Sequence, residues 1–191
     1  VLGGAGADFV SSSSAVTSSE IFGNKGADTI QFGDSDSGDT FTKALVQANT
    51  GNDSIDVVGR FLTSTVRGGS GNDTIAINSA ANASSYVYGD AGSDSLSGDF
   101  TAGTTVYGDN TGSVSGNDTL DFTAVTGGQL RGNAGNDSLL ATTGSSATLF
   151  GGTGKDTISV SGDFLNSRAA SAGLMTFGGA ITTSQIVAED G

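Results

Sequence analysis

Aliphatic residues recur in two regularly spaced rows along most of the chain, and short polar segments rich in glycine separate the rows. The first row consists of Val1, Ile21, Val46, Val66, Val87, Val106, Leu130 and Leu149. The second row consists of Val10, Ile30, Ile55, Ile75, Leu96, Leu120, Leu139 and Ile158. Apolar and polar residues alternate around these rows, as in Thr157-Ile158-Ser159-Val160, and this period of two predicts β-strands with one buried face.

A six-residue phrase rich in glycine lies between the two rows, occurs eight times and always ends in Asp. It reads GGSGND at 68–73 and GGTGKD at 151–156, and the sixth copy contains a short insertion. The terminal aspartates are Asp8, Asp28, Asp53, Asp73, Asp94, Asp118, Asp137 and Asp156. Their separations of 19 to 25 residues predict a repeated coil made of a turn, a strand, a second turn and a second strand.

Stacking of such coils predicts an all-β fold, a parallel β-solenoid (β-roll-like) of about eight coils of 19–25 residues. No helical periodicity competes with this pattern. The phrase stops after about Leu165, so residues 1–165 are predicted to be the repeat domain. Residues 166–191 are expected to form a divergent final coil, a cap or an interface segment, and the chain is expected to be a fragment of a longer protein.

Composition narrows the range of functions. The chain has a net charge of −13, 32 Gly and no His, Cys or Pro, which excludes metal sites and catalysis that need imidazole or thiolate. The seven Lys and Arg residues are scattered, so nucleic acid is not expected as a partner. No apolar run is long enough for a transmembrane segment. Leu, Ile, Val and Phe make up about 22% of the chain, so the apolar core needs additional stabilisation.

The phrase has the features of an oxygen-rich cation site. Glycine at its first and fourth positions allows a tight turn that directs carbonyl oxygens inward, and the Asp adds a carboxylate. Hard oxygen ligands favour Ca²⁺, and stacked loops can share ions, up to about seven on one edge. The predicted ligands, besides the eight aspartates, are the first-position residues Gly3, Gly23, Gly68, Gly89, Gly132 and Gly151. A second site is predicted on the opposite edge around Asp34, Asp36 and Asp39, and irregular sites are expected beside Asp118.

The segments GGAGADFV, GGSGNDTI, GNAGNDSL and GGTGKDTI resemble the calcium-binding nonapeptide GGxGxDxUx of the RTX (repeats-in-toxin) family, in which U is a large aliphatic residue. The resemblance covers roughly residues 1–165. It implies a right-handed parallel β-roll, calcium-dependent folding, and secretion from a Gram-negative-type bacterium to the extracellular space or cell surface. A simple β-roll repeats every nine residues, whereas this phrase returns every 19 to 25, so a single row of ions is expected.

The residue before each phrase is predicted to face outward, and several of these residues are aromatic or Arg. The predicted interface residues are Phe22, Arg67, Tyr88, Tyr107, Arg131 and Phe150. Stacked one above another, they would form an aromatic and cation–π ladder, which either stiffens the sheet or contacts a neighbouring subunit or domain. Self-association or contact with other domains of the same protein is therefore expected.

Three functions are compatible with this pattern. We rank first a calcium-stabilised extracellular structural protein, part of a surface layer (S-layer), filament or sheath. The alternative is a calcium-binding RTX module of a larger secreted exoprotein, which is an enzyme, a toxin or an adhesin. Ice binding is disfavoured because the exposed loop positions are chemically mixed. No catalytic constellation is found in the sequence, so the chain is not expected to be an enzyme.

Overall fold

The computed structural model describes residues 1–34, 38–78, 82–100, 103–110 and 115–189. Within these residues the chain forms strands and turns and contains no helix, and the paired strands are parallel. The predicted all-β parallel solenoid is therefore confirmed. The described residues contain no helix with the length and apolar character needed to cross a membrane.

Two large parallel sheets run along the solenoid. Sheet A has ten strands in the described part of the chain, and each coil adds one strand next to the previous one. Its strands are Leu2–Ala5, Glu20–Lys25, Leu45–Thr50, Thr65–Ser70, Tyr86–Ala91, Thr105–Asp109, Gln129–Ala134, Thr148–Thr153, Arg168–Ser171 and Gln185–Ala188. Each step from one strand to its neighbour in the sheet is one rung of the solenoid, about 4.8 Å.

Sheet B follows sheet A in every coil, after the phrase loop. Among the described residues it has eleven strands. These are Phe9–Ser12, Thr29–Phe32, Ser54–Val58, Thr74–Asn78, Ser95–Phe100, Thr119–Thr126, Ser138–Ser145, Thr157–Val160, Phe164–Leu165, Leu174–Phe177 and Ile181–Thr182. A small sheet C, with four strands in the same described ranges, covers the second turn. Its strands are Val16–Thr17, Thr40–Thr42, Arg60–Leu62 and Asn82–Ala83.

The solenoid has about nine turns in its described part, one more than the eight coils expected from the phrase. The difference arises because the strands Arg168–Ser171 and Leu174–Phe177 form a further coil beyond the last phrase, and the strand Gln185–Ala188 follows it. Strand pairing there depends on backbone hydrogen bonds and on inward apolar residues such as Ala169, and neither needs an Asp. Counting aspartates therefore underestimates the number of coils.

The core lies between sheets A and B and is built from the two aliphatic rows. In sheet A, Val66 is paired with Val87, and in sheet B, Ile75 is paired with Leu96; the side chains of all four are at most 1% exposed. Phenylalanines fill the wider side towards sheet C. The ring of Phe41 lies 5.1 Å from the ring of Phe32 and 5.8 Å from that of Phe61, so aromatic packing continues from coil to coil.

The second turn is more regular in the structure than in the sequence. Each coil places one residue with positive φ there, such as Thr63 at 49°, and the next side chain then points inward. Ser64 is 2% exposed, and its Oγ accepts a hydrogen bond from the Ala44 N–H at 3.1 Å, while the Ser64 N–H donates to Ser85 Oγ at 3.2 Å. A buried serine ladder thus stabilises this corner.

The fourth position of the phrase requires glycine because successive loops stack closely. Gly71 has φ 129°, and a Cβ built on it would overlap the carbonyl oxygen of Gly51 in the preceding coil. Gly6 in the first coil also has a positive φ of 108°, but a Cβ there would meet no atom within 4 Å. A side chain at Gly6 therefore introduces backbone strain alone, whereas a side chain at Gly71 also introduces steric overlap.

We predict that Gly71→Ala destabilises the folded chain by about 3 kcal/mol and Gly6→Ala by only about 1 kcal/mol. Both substitutions strain φ, whereas only the first forces neighbouring coils apart. Urea unfolding in saturating calcium, followed by circular dichroism, measures the two free energies of unfolding. Equal losses for the two variants would contradict close stacking of the loops.

Candidate calcium sites

The phrase loops place their aspartates in one column along the edge between sheets A and B. Seven of these side chains are buried, with at most 3% exposure: Asp28, Asp53, Asp73, Asp94, Asp118, Asp137 and Asp156. Asp8, in the first coil, is half-buried. A buried carboxylate requires hydrogen-bond donors or cations around both of its oxygens, and the two oxygens have different surroundings in this column.

The Oδ1 atom of each buried aspartate accepts a hydrogen bond from the preceding coil. Asp53 N–H donates to Asp73 Oδ1 at 2.8 Å, and Asp73 N–H donates to Asp94 Oδ1 at 2.7 Å. The same bond joins every successive pair, from Asp8 with Asp28 to Asp137 with Asp156, at 2.7 to 3.0 Å. These bonds fix the rotamer of each carboxylate and direct its second oxygen away from the donor.

The Oδ2 atoms are buried and have no hydrogen-bond partner in any of the eight aspartates. In seven coils the Oδ2 atom lies beside the glycine at the first position of the phrase. A Cβ built on Gly89 would lie 2.6 Å from the carbonyl oxygen of Gly108 in the next coil and would also overlap Asp94 Oδ2. A carboxylate oxygen and a carbonyl oxygen from successive coils therefore converge on the space that a Cβ on Gly89 would occupy.

The same convergence occurs in most coils. It is found at Gly3, Gly23, Gly68, Gly89, Gly108 and Gly132, where the phrase aspartate and the carbonyl of the following coil approach the same point; at Gly151 the approach is made by Asp156. Of the predicted first-position ligands, all six glycines thus lie beside their aspartates. The sequence pattern did not include Gly108, because the insertion separates it from the rest of its phrase.

The oxygens present are compatible with calcium. In the described part of the chain, no group of three or more acidic side chains could hold a metal ion by itself, so a site there would combine one or two carboxylates with backbone carbonyls. Ca²⁺ binds hard oxygen ligands, and its sites are flexible and often include backbone carbonyls. The buried Oδ2 atoms have no hydrogen-bond donor. Bound calcium would balance their negative charge.

The insertion in the sixth phrase does not displace its aspartate. Asp118 Oδ1 accepts from Asp94 N–H at 2.8 Å, and Asp118 N–H donates to Asp137 Oδ1 at 2.9 Å. The column is therefore continuous through the coil for which irregular sites were expected. Gly108 and Gly116, on either side of the insertion, occupy the first and fourth positions.

The predicted second site on the opposite edge lies only partly within the described residues. Asp34 is exposed, Asp39 is half-buried, and neither belongs to a group of acidic side chains that could hold a metal ion among those residues. Asp36 lies outside the described residues. The Asp39 carbonyl accepts a hydrogen bond from Arg60 N–H at 2.9 Å.

Two buried acids at the second phrase position were missed by the sequence analysis. Asp90 is 7% exposed and Asp109 is 1% exposed. Asp90 pairs with Arg67 at 3.1 Å, and both oxygens of the Asp109 carboxylate lie 3.3 Å from the Gly116 nitrogen, whose N–H they accept. Other copies have Gly or Asn at this position. An Asp in its place is the departure from the repeat by which the sequence could have identified these two residues. Negative charge is thus concentrated in the central coils.

A second ladder runs along the outside of the loops in the opposite direction. Asn72 N–H donates to Asn52 Oδ1 at 2.9 Å, and Ser93 N–H donates to Asn72 Oδ1 at 2.9 Å. The pattern continues where Lys155 N–H donates to Asn136 Oδ1. Fifth-position side chains therefore bind the following coil, whereas sixth-position aspartates bind the preceding one.

Burial raises the pKa values of the central aspartates. The pKa of Asp73 rises to about 7 and that of Asp118 to about 8, mainly because burial disfavours the charged carboxylate. The same cause raises the pKa of Asp94 and Asp137 to about 6. Neighbouring carboxylates add a smaller rise, and the backbone hydrogen bond to Oδ1 opposes it. Without a cation, the column resists full ionisation at neutral pH.

Comparison with known families supports the assignment of the loops. Residues 64–76, 83–102 and 142–163 match the sequence model of the RTX calcium-binding nonapeptide repeat, in four copies. The resemblance found in the sequence is therefore confirmed, and repeats of this kind bind calcium and are typical of secreted Gram-negative proteins. Neither the curated proteins nor the solved structures include a match to this chain.

We predict that the folded fraction in a calcium chelator decreases as pH rises from about 5 to 8. The raised folded-state pKa values of Asp73 and Asp118 mean that the folded chain holds protons that the unfolded chain has released. Protonation therefore favours folding at low pH, and this contribution is lost as pH rises. Circular dichroism across this range tests the prediction, and saturating calcium should abolish the decline. A folded fraction that increases with pH in chelator would contradict it.

We predict opposite effects of Asp73→Asn with and without calcium. In chelator at pH 8, the substitution removes a buried charge while retaining an acceptor for the Asp53 N–H, so the melting temperature should rise. In calcium, the chain should bind fewer ions and melt at a lower temperature. Isothermal titration calorimetry and thermal melts measure both effects. The control Glu20→Gln removes an exposed charge and should leave the number of ions unchanged, and an unchanged number for Asp73→Asn would refute the assignment.

Proposed function

Because the chain carries RTX calcium-binding repeats, we propose that it is a calcium-stabilised structural protein of the cell exterior. Calcium would fix the loop edge of the solenoid, and copies of the rod would associate side by side in a surface layer, filament or sheath. The observation that carries this proposal is a continuous row of large side chains on the outer face of sheet A.

This sheet A outward row contains every predicted interface residue. Its members are consecutive rung partners: Phe22, Gln47, Arg67, Tyr88, Tyr107, Arg131 and Phe150. All of them are half-buried. A single outward stripe of this length, composed of aromatic and Arg side chains except for Gln47, is unusual for a solvated surface, since these residue types are enriched at the centres of protein interfaces.

The row is ordered by contacts within the chain. The Arg67 guanidinium lies 4.3 Å from the centre of the Tyr88 ring, and the rings of Tyr88 and Tyr107 stack at 4.9 Å with 3° between their planes. Arg131 lies 5.4 Å from the ring centre of Phe150. These contacts fix the side-chain rotamers before any partner binds, so less conformational entropy is lost on association.

A calcium-binding module of a larger secreted exoprotein is the second candidate function. Exposed apolar side chains on the last strands of the solenoid favour it, because Leu174 is 63% exposed and Ile181 48% exposed. A further domain packed there would bury them. We assign no catalytic role to the chain under either proposal, since it contains no His or Cys and its buried acids lie in the calcium loops.

We predict that calcium causes a cooperative gain of β-sheet signal in circular dichroism, followed by growth in particle size in light scattering. The variant with Tyr88→Ser and Tyr107→Ser should gain the same β-sheet signal with the same calcium dependence but remain monomeric. Chelator serves as one control, and magnesium, which retains its hydration water, as another. Folding of the unchanged chain without growth in particle size would favour the exoprotein module.

A further inference from the structure

The two cations of the sheet A outward row have a defined separation. Arg67 pairs in register with Tyr88, Tyr88 with Tyr107, and Tyr107 with Arg131, so the two Arg residues are three rungs apart. In the described part of the chain the one ion pair joins Arg67 and Asp90. Arg131 therefore has no acidic partner among those residues.

The outer face of sheet B carries two acids with the same separation. Asp56 pairs in register with Ala76, Ala76 with Ser97, and Ser97 with Asp121, so Asp56 and Asp121 are also three rungs apart. Asp121 is exposed, and Asp56 is half-buried and accepts a hydrogen bond from Asn78 Nδ2 at 3.1 Å. We define the sheet B outward row as Gln31, Asp56, Ala76, Ser97, Asp121, Leu140 and Ser159.

We propose that copies of this chain associate by packing the sheet A outward row of one rod against the sheet B outward row of the next. In this arrangement Arg67 faces Asp56 of the neighbouring copy while Arg131 faces Asp121 of that copy. The inference rests on the proposed function, and it specifies which surfaces meet. Matching spacings allow both charge pairs to form at once, and this complementarity of charge identifies the occupant as a second copy.

The residues between and beyond the charges also match in size. With the rods parallel and offset by one rung, Tyr88 and Tyr107 face Ala76 and Ser97 of the neighbour, so large side chains meet small ones. Phe150, one rung beyond Arg131, then faces Leu140, one rung beyond Asp121. An antiparallel arrangement keeps the two charge pairs but places Phe150 against Gln31, so the parallel arrangement is favoured.

The faces are large enough for a stable contact. Nine rungs and strands of about six residues give a face of roughly 40 Å by 15–20 Å, or about 600–800 Å² on each partner, near the size of a standard interface. Because the two rows belong to different sheets on either side of the core, the contact is heterologous. Each added copy presents the free row again, so the assembly grows as an open row.

Charge reversal on the full 191-residue chain in saturating calcium tests the inference. Arg131→Asp alone and Asp121→Arg alone should each weaken association at least tenfold, measured by analytical ultracentrifugation, because like charges then face each other. An equimolar mixture of the two variants should recover association, since each new charge meets its opposite on the other variant. Arg60→Asp makes the same charge change on the exposed side of sheet C and should leave association unchanged.

Circular dichroism must show the same calcium-induced β-sheet signal for all variants. Unchanged association of both single variants, or a mixture that does not recover, overturns the inference while the proposed function stands. Absence of association of the unchanged chain overturns both.

Cysteine cross-linking tests the same arrangement without changing charge. The chain has no Cys of its own, so any disulfide must join the two introduced residues. A mixture of Tyr88→Cys and Ala76→Cys should form a disulfide-linked dimer under mild oxidation in calcium. Dimers from Tyr88→Cys with Ser97→Cys in preference would show the antiparallel arrangement and overturn the parallel one. If neither mixture forms dimers while association is intact, the proposed contact between these two rows is overturned.

Discussion

The stack of buried carboxylates on one edge is the constraint on which the rest of the structure depends. Adjacent aspartates belong to coils one rung apart, and two unit charges at ~4.8 Å repel each other by about 3 kcal/mol at an effective dielectric constant of ~20. Their Oδ2 atoms are buried without donors. The fold therefore needs protons or cations at this edge, and the limited apolar core cannot compensate for their loss. Cation binding and coil stacking are in this sense one process.

The two side-chain ladders explain why carbonyl oxygens remain available at that edge. Asp73 accepts from the preceding coil and Asn72 accepts from the following coil's Ser93, so side chains satisfy loop N–H groups that carbonyls would otherwise satisfy. The loop carbonyls, such as that of Gly108, are then directed towards the glycine of the preceding coil. Asn at the fifth position therefore contributes to the site although it lies on the outside.

The repeat pattern predicts the fold and the aspartate column because both depend on features that recur in every coil. The aliphatic rows, the glycines and the terminal aspartates each have a fixed position, and stacking places equal positions side by side. The serine ladder at Ser64 was not predicted, because its turn requires a positive φ that Thr63 and Ser84 adopt without a distinctive residue. Asp90 and Asp109 were missed since they depart from the repeat. The site around Asp34, Asp36 and Asp39 stays a prediction, since Asp36 lies outside the described residues.

The insertion between Asp109 and Gly116 has a consequence for how such a rod acquires new properties. Asp118 retains both hydrogen bonds of the column despite the extra residues, so the column of aspartates continues through the coil that carries the insertion. Residues between Asp109 and Gly116 can therefore differ in sequence while the aspartates keep their positions in the column. Variation in the length of this loop is thus compatible with an unbroken carboxylate stack, so the repeat can diverge at one point without losing the feature that defines it.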